Sequence, residues 1–162
     1  MLADRTMHRI HPDLPHLPVT LEPGVTLEEI VSRVEDARGK ANPLRIQEVP
    51  ELAGTDGTLC GLWLATDDED IILHAPSDSA LHREQFILHE LAHILLLHDK
   101  VDEKTGYVTD TVLPNFDNAT VVKALARDSI QDRYELLAEQ LADVLAGFIR
   151  SRPSSQFSEI FG

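Results

Sequence analysis

The pentapeptide His89-Glu90-Leu91-Ala92-His93 combines residue types and a spacing that could do hydrolytic chemistry. It lies in the run from Leu81 to His98, where Leu, Glu, Ala, Gln and Arg prevail and Gly and Pro are absent. Such a composition predicts a helix. Residues four apart on a helix stand one above the other, with Cβ atoms about 5–6 Å apart. Two imidazoles so placed can converge on one tetrahedral cation. Glu90 points to a flank, where it can reach a metal-bound water without being a ligand. The metal brings the pKa of that water to about 7, and the Glu takes its proton as the water attacks a carbonyl.

The competing reading is coincidence, since the chain has eight His. Two features weigh against it. A Glu occupies the slot after the first His, and the setting is apolar, with Phe86, Ile87, Leu88, Leu91, Ile94 and Leu95 around the pair. Two His and a Glu in a largely buried helix are costly unless paired or metal-bound.

A catalytic zinc site uses three protein ligands and keeps a place for water, whereas a structural one closes with four. Cys60 is the single Cys, so a Cys-rich site and an intrachain disulfide are both excluded. A third ligand should then be a carboxylate or His on a neighbouring helix. The last helical pattern supplies Glu135 and Glu139, four apart, beside Ala138 and Ala142, whose small side chains would allow close packing on the motif helix. Two solvated surface carboxylates explain the same pair, and the residues alone leave both readings open.

These side chains need a frame. Residues 1–23 carry Pro12, Pro15, Pro18 and Pro23 with His8, His11 and His16, and read as an extended arm. Thr26 and Glu29 form a capping box for a helix whose apolar stripe is Leu27, Ile30, Val31 and Val34, stopped by Gly39. Strands are expected over 44–49, 59–65 and 71–74, with Asp67 to Asp70 as a solvated hairpin tip. Ser77, Asp78 and Ser79 offer N-caps for the motif helix. A long loop follows from Asp99. Asp117 or Asn118 would cap a short helix through Val121, Val122 and Leu125. The last helix then runs through Tyr134, Leu137, Leu141, Val144 and Phe148, and 151–162 form a tail. The expected class is α+β: a small antiparallel, three-stranded sheet packed on helices.

The totals narrow the partners. The 162 residues suit one domain. Net charge is −14, from 28 Asp and Glu against 14 Lys and Arg, which argues against direct nucleic acid or an anionic membrane surface. No apolar run approaches the ~20 residues of a bilayer span. A lone Cys and no apolar leader point to the cytoplasm.

The segment Arg83-Glu-Gln-Phe86-Ile-Leu-His89-Glu90-Leu-Ala-His93 resembles the motif helix of the ImmA/IrrE family of zinc metallopeptidases. Glu135-Leu-Leu-Ala138-Glu139-Gln-Leu141-Ala142 is similar to a later element of that family, and the element order over residues 24–150 matches as well. The resemblance implies a zincin-like fold, with His89, His93 and Glu135 holding Zn²⁺ and Glu90 as general base. Glu139 would orient a ligand His or serve as the alternative ligand. Ala92 stands where Gly is commoner, and Glu139 and Leu141 where Asn and Phe are frequent. His98, about 140° round the helix from His93, reads as a helix-end residue. Candidates for an oxyanion donor are Tyr107, Tyr134 and His74.

The function so implied is a cytoplasmic endopeptidase acting on or with a helix-turn-helix repressor, as in phage-control or toxin–antitoxin-like switches. An acidic surface suits docking onto a basic regulator. The alternative is a binding module that sequesters such a regulator without cutting it, zinc being structural.

Overall fold

A computed structural model describes the chain over residues 16–54, 61–96, 123–124 and 132–151. The first helix, α1, is Leu27–Arg38. Its N-terminus is closed by the capping box the sequence implies: the Thr26 amide donates to Glu29 Oε2 (2.8 Å) and the Glu29 amide to Thr26 Oγ1 (3.2 Å). Gly39 ends it at φ +60°, a left-handed conformation that glycine adopts without strain. Ile30 and Val34 carry its buried stripe.

The chain continues through β1 (Arg45–Glu48), a 3₁₀ turn (Pro50–Gly54), β2 (Gly61–Ala65) and β3 (Asp70–His74). The β2–β3 hairpin is antiparallel, with Trp63 opposite Ile72, and its turn is closed by the Thr66 amide donating to the Glu69 carbonyl (2.9 Å). β1 pairs with β3 in parallel, Arg45 beside Ile71 and Glu48 beside His74. The sheet is therefore mixed and open, not antiparallel. Alternating hydrophobicity identifies a strand, but it says nothing of which hairpin edge that strand joins or in which direction. The two-residue strand β4 (Lys123–Ala124) extends the sheet beyond β2, giving the order β1-β3-β2-β4. It lies where a short helix through Val121, Val122 and Leu125 is expected. An available edge of β2 outweighs the weak local pattern, because β preference is mostly a matter of having a strand to pair with.

Every residue of β2 and β3 is buried, so both faces of the hairpin are covered. On one face Leu62, Leu64, Ile71 and Leu73 pack with Val49, Leu52 and half-buried Phe86. On the other, Trp63, Ala65 and Ile72 meet the helices. The second helix, α2 (Ala80–Leu95), is N-capped by Ser79, whose side chain accepts from the His82 amide. It buries Leu88, Leu91, Ala92, Ile94 and Leu95. The third, α3 (Asp132–Arg150), buries Ala138, Leu141, Ala142, Leu145 and Phe148 in the same core. Ala138 and Ala142 are fully buried, as close approach of the two helices requires. Gln85 donates to Asp143 (3.2 Å) and Arg150 pairs with Glu84 (2.9 Å), so α3 runs antiparallel to α2. Among the described residues no helix is long and apolar enough to cross a membrane.

Two further readings change. Within the expected N-terminal arm, Leu21 is 1% exposed, Leu17 and Val19 pack on the core, and the Gly24 amide donates to the Phe148 carbonyl (2.8 Å). The described part of that segment belongs to the body. Asp70, expected at a solvated tip, is buried. It shares a face of β3 with Ile72, and it accepts from Arg38 Nε (2.8 Å), Lys40 Nζ (3.0 Å) and Trp63 Nε1 (3.0 Å). The Arg38 guanidinium also lies 5.4 Å from the centre of the Trp63 ring, within range of a cation–π contact. One carboxylate thus ties the end of α1 to the sheet.

Burial alone would raise the Asp70 carboxyl. The bonds from Arg38 and Lys40, the Arg38 charge and the Trp63 bond outweigh it and hold the group below its ordinary range. A depressed carboxyl contributes stability that is full above the unfolded value near ~3.9 and is lost as pH falls through the folded value. Asp70→Ala should therefore cost about 3–5 kcal/mol at pH 7, because it strands buried donors. Urea unfolding as a function of pH checks this: the gap to the native protein should narrow below pH ~4.

Candidate metal centre

Helical periodicity in α2 puts His89 and His93 one turn apart, and their Nε2 atoms stand 3.2 Å from each other. The rings meet edge to face at 80°, with centroids 4.9 Å apart. Antiparallel packing of α3 brings Glu135 across the pair. Its Oε2 lies 3.0 Å from His89 Nε2 and its Oε1 3.2 Å from His93 Nε2. Three side chains separated in sequence by up to 46 residues thus present three donor atoms to one point. They form a group that could hold a metal ion. His93 is buried, whereas the Glu135 side chain is 25% exposed, so the group opens on the Glu135 side.

Burial would raise the Glu135 carboxyl, but hydrogen bonds from His89 and His93, and their charges, hold it well below the usual carboxylate range. At neutral pH it is an anion facing two imidazoles. A carboxylate and two imidazoles are the ligand types that a small divalent cation of intermediate softness takes.

Glu90, about 100° further round α2 than His89, is not one of the three donors. Its side chain is buried against Gly61 of β2, where an added Cβ would lie 2.8 Å from Oε1. Glu139 is exposed on α3, and it is Glu135 that reaches both imidazoles.

Among the oxyanion-donor candidates, His74 is buried at the end of β3, opposite Gly61 in the ladder. Its side chain therefore shares the face on which Glu90 lies. Its Nδ1 is 3.0 Å from the Ala75 carbonyl. A carbonyl can only accept, so Nδ1 is the donor in this bond. Tyr107, His98 and the Tyr134 side chain lie outside the described residues.

Gly61 is the residue the motif-based reading passed over. A Gly within the apolar stretch Leu59 to Ala65 was the available sign, because glycine inside a strand often marks a close approach.

Compared with family models, curated proteins and solved structures, the chain finds no match in any of the three.

Titration calorimetry with Zn²⁺ should give one ion per chain. His89→Ala, His93→Ala and Glu135→Ala should each weaken binding by at least ~100-fold, the upper end of what a merely supporting residue costs. Glu139→Ala should leave it unchanged, and a loss there would move the third ligand.

Proposed function

We propose that the chain is a zinc-dependent hydrolase with a zincin-like arrangement of motif helix, sheet and ligand-bearing C-terminal helix. The observation that carries the reading is the convergence of His89 Nε2, His93 Nε2 and the Glu135 carboxylate: the two nitrogens are 3.2 Å apart, one carboxylate oxygen is 3.0 Å from the first and the other oxygen 3.2 Å from the second. Tetrahedral coordination at bonds of about 2.0–2.1 Å has donor–donor edges of ~3.3 Å, a spacing close to that of the two nitrogens and of each nitrogen from its carboxylate oxygen. Calcium and magnesium are poorer fits, since they favour oxygen ligands and higher coordination numbers. Three protein ligands leave a position for a reactant, which favours a catalytic over a structural role.

Bound zinc supplies Lewis acidity, making water a nucleophile near neutral pH and polarising a carbonyl. The chain's own residues do the rest. His89 and His93 face one point because they share a helix face, and Glu135 balances charge from the facing helix. Glu90 is the carboxylate next to His89 on the same helix and is not one of the three donors. It takes the proton of the attacking water and then gives it to the departing amine. Its burial against β2 limits the positions it can adopt.

The particular reaction we propose is cleavage of a peptide bond in a helix-turn-helix regulator, in the manner of ImmA/IrrE-type metallopeptidases. The support is the resemblance of the motif helix and of the Glu135 element, together with the charge. A chain of net charge −14 attracts a basic DNA-binding protein and repels DNA itself. In this reading the protein works in the cytoplasm, where such regulators act.

Zinc-loaded protein incubated with a regulator encoded beside it should yield discrete fragments by mass spectrometry. Glu90→Gln should retain one zinc and lose turnover by ~10²- to 10⁴-fold, the range a positioned base supplies. Regulator that stays intact yet bound, or function that survives Glu90→Gln, would replace hydrolysis with sequestration.

A further inference from the structure

We infer that Gly61 is a positioning residue for Glu90: the side chain it lacks leaves the space that the Glu90 carboxylate occupies. This rests on the hydrolytic reading above and assigns that reaction a residue outside the motif.

The backbone gives no reason for glycine at 61. The positive-φ glycines among the described residues are Gly24 and Gly39, and Gly61 sits in regular ladder register opposite His74. A strand interior normally gains from a side chain there, because glycine packs nothing and is less restricted when unfolded. Sterics give the reason. An added Cβ would stand 2.8 Å from Glu90 Oε1, 3.0 Å from Cγ and 3.2 Å from Cδ. All three contacts fall short of ordinary carbon contact distances, which begin near ~3.5 Å. Gly147 in α3 is the counter-example: an added Cβ there meets nothing within 4 Å.

The clash falls on the far end of a side chain and not on backbone, so Gly61→Ala should fold. Glu90 must yield instead. Burial at 3% exposure leaves it few places to go, and any new position misaligns the carboxylate with the three donors. A misplacement of order 1 Å in a reacting group can cost ~100-fold in rate.

The test uses the full-length zinc-loaded protein. Gly61→Ala should keep one zinc per chain and lower kcat about 10- to 100-fold with KM within about twofold. A crystal structure of the variant should show the carboxylate displaced. Glu90→Asp, shorter by one methylene, should soften the effect of Gly61→Ala on kcat. In a Glu90→Ala background the same substitution should no longer lower Tm, because the clashing atoms are gone. Gly147→Ala should leave kcat unchanged.

An unmoved carboxylate with native kcat would overturn the inference, as would an equal Tm loss whether residue 90 is Glu or Ala. If the native protein cleaves nothing, the hydrolytic reading fails. The crystal structure and the Tm cycle still decide whether Gly61 makes room for Glu90.

Discussion

A carboxylate set between two imidazoles at the crossing of α2 and α3 is the constraint to which the rest of the molecule answers. The surrounding interface is apolar, with Leu88, Leu91, Ala92, Ala138, Leu141 and Ala142 all fully buried. Polar groups in such a place are tolerated only when their partners meet them with good geometry. Two short contacts from Glu135, at 3.0 and 3.2 Å, meet that condition. They also set the register of α3 on α2, because a slide of one turn along either helix would part the acid from at least one of the rings. Small residues at 138 and 142 permit the approach, and the Gln85–Asp143 and Arg150–Glu84 contacts repeat the same antiparallel register toward the other end.

The sheet answers to the same crossing from beneath. β2 and β3 are buried on both faces, and α2 packs on the face that carries Trp63, Ile72 and the bare position at Gly61. Glu90 fills the notch at that bare position, while its neighbours His89 and Leu91 turn toward α3 and the core. Three consecutive residues of one helix therefore face three different neighbours. On the far side of the same face, Asp70 gathers Arg38, Lys40 and Trp63 and holds α1 against the strands. Two buried acids, one at each end of the hairpin, have different tasks: Asp70 is saturated with donors, and Glu90 is confined by backbone.

Local chemistry explains which of these features could be read from the chain. The α1 capping box, its stop at Gly39, the hairpin and the motif helix all depend on neighbours within a few residues, and the structure has them. The His pair was legible because a helix face is a periodic signal; periodicity offered Glu135 and Glu139 as candidate third partners, and only the family resemblance favoured Glu135. The features that escaped depend on distant partners. The parallel entry of β1 depends on the free side of β3, and β4 forms because β2 has an edge to offer. Asp70 looks like any acid in an acidic turn until cations at 38 and 40 are brought beneath it. Gly61 is unremarkable in a strand until a glutamate from a helix thirty residues later is laid over it.

The separation of the donors along the chain has a mechanical consequence. His89 and Glu135 are 46 residues apart, and the connection between them is long. An ion gripped by both would act as a rivet that joins α2 to α3 in the folded chain. Because it would bind the folded form alone, occupancy adds to resistance against heat in proportion to the logarithm of free metal, roughly 2.7 kcal/mol at a hundredfold excess over the dissociation constant. Scarcity of metal would then weaken the packing of α3 on α2, and the stripped chain would be the form that proteases clear first.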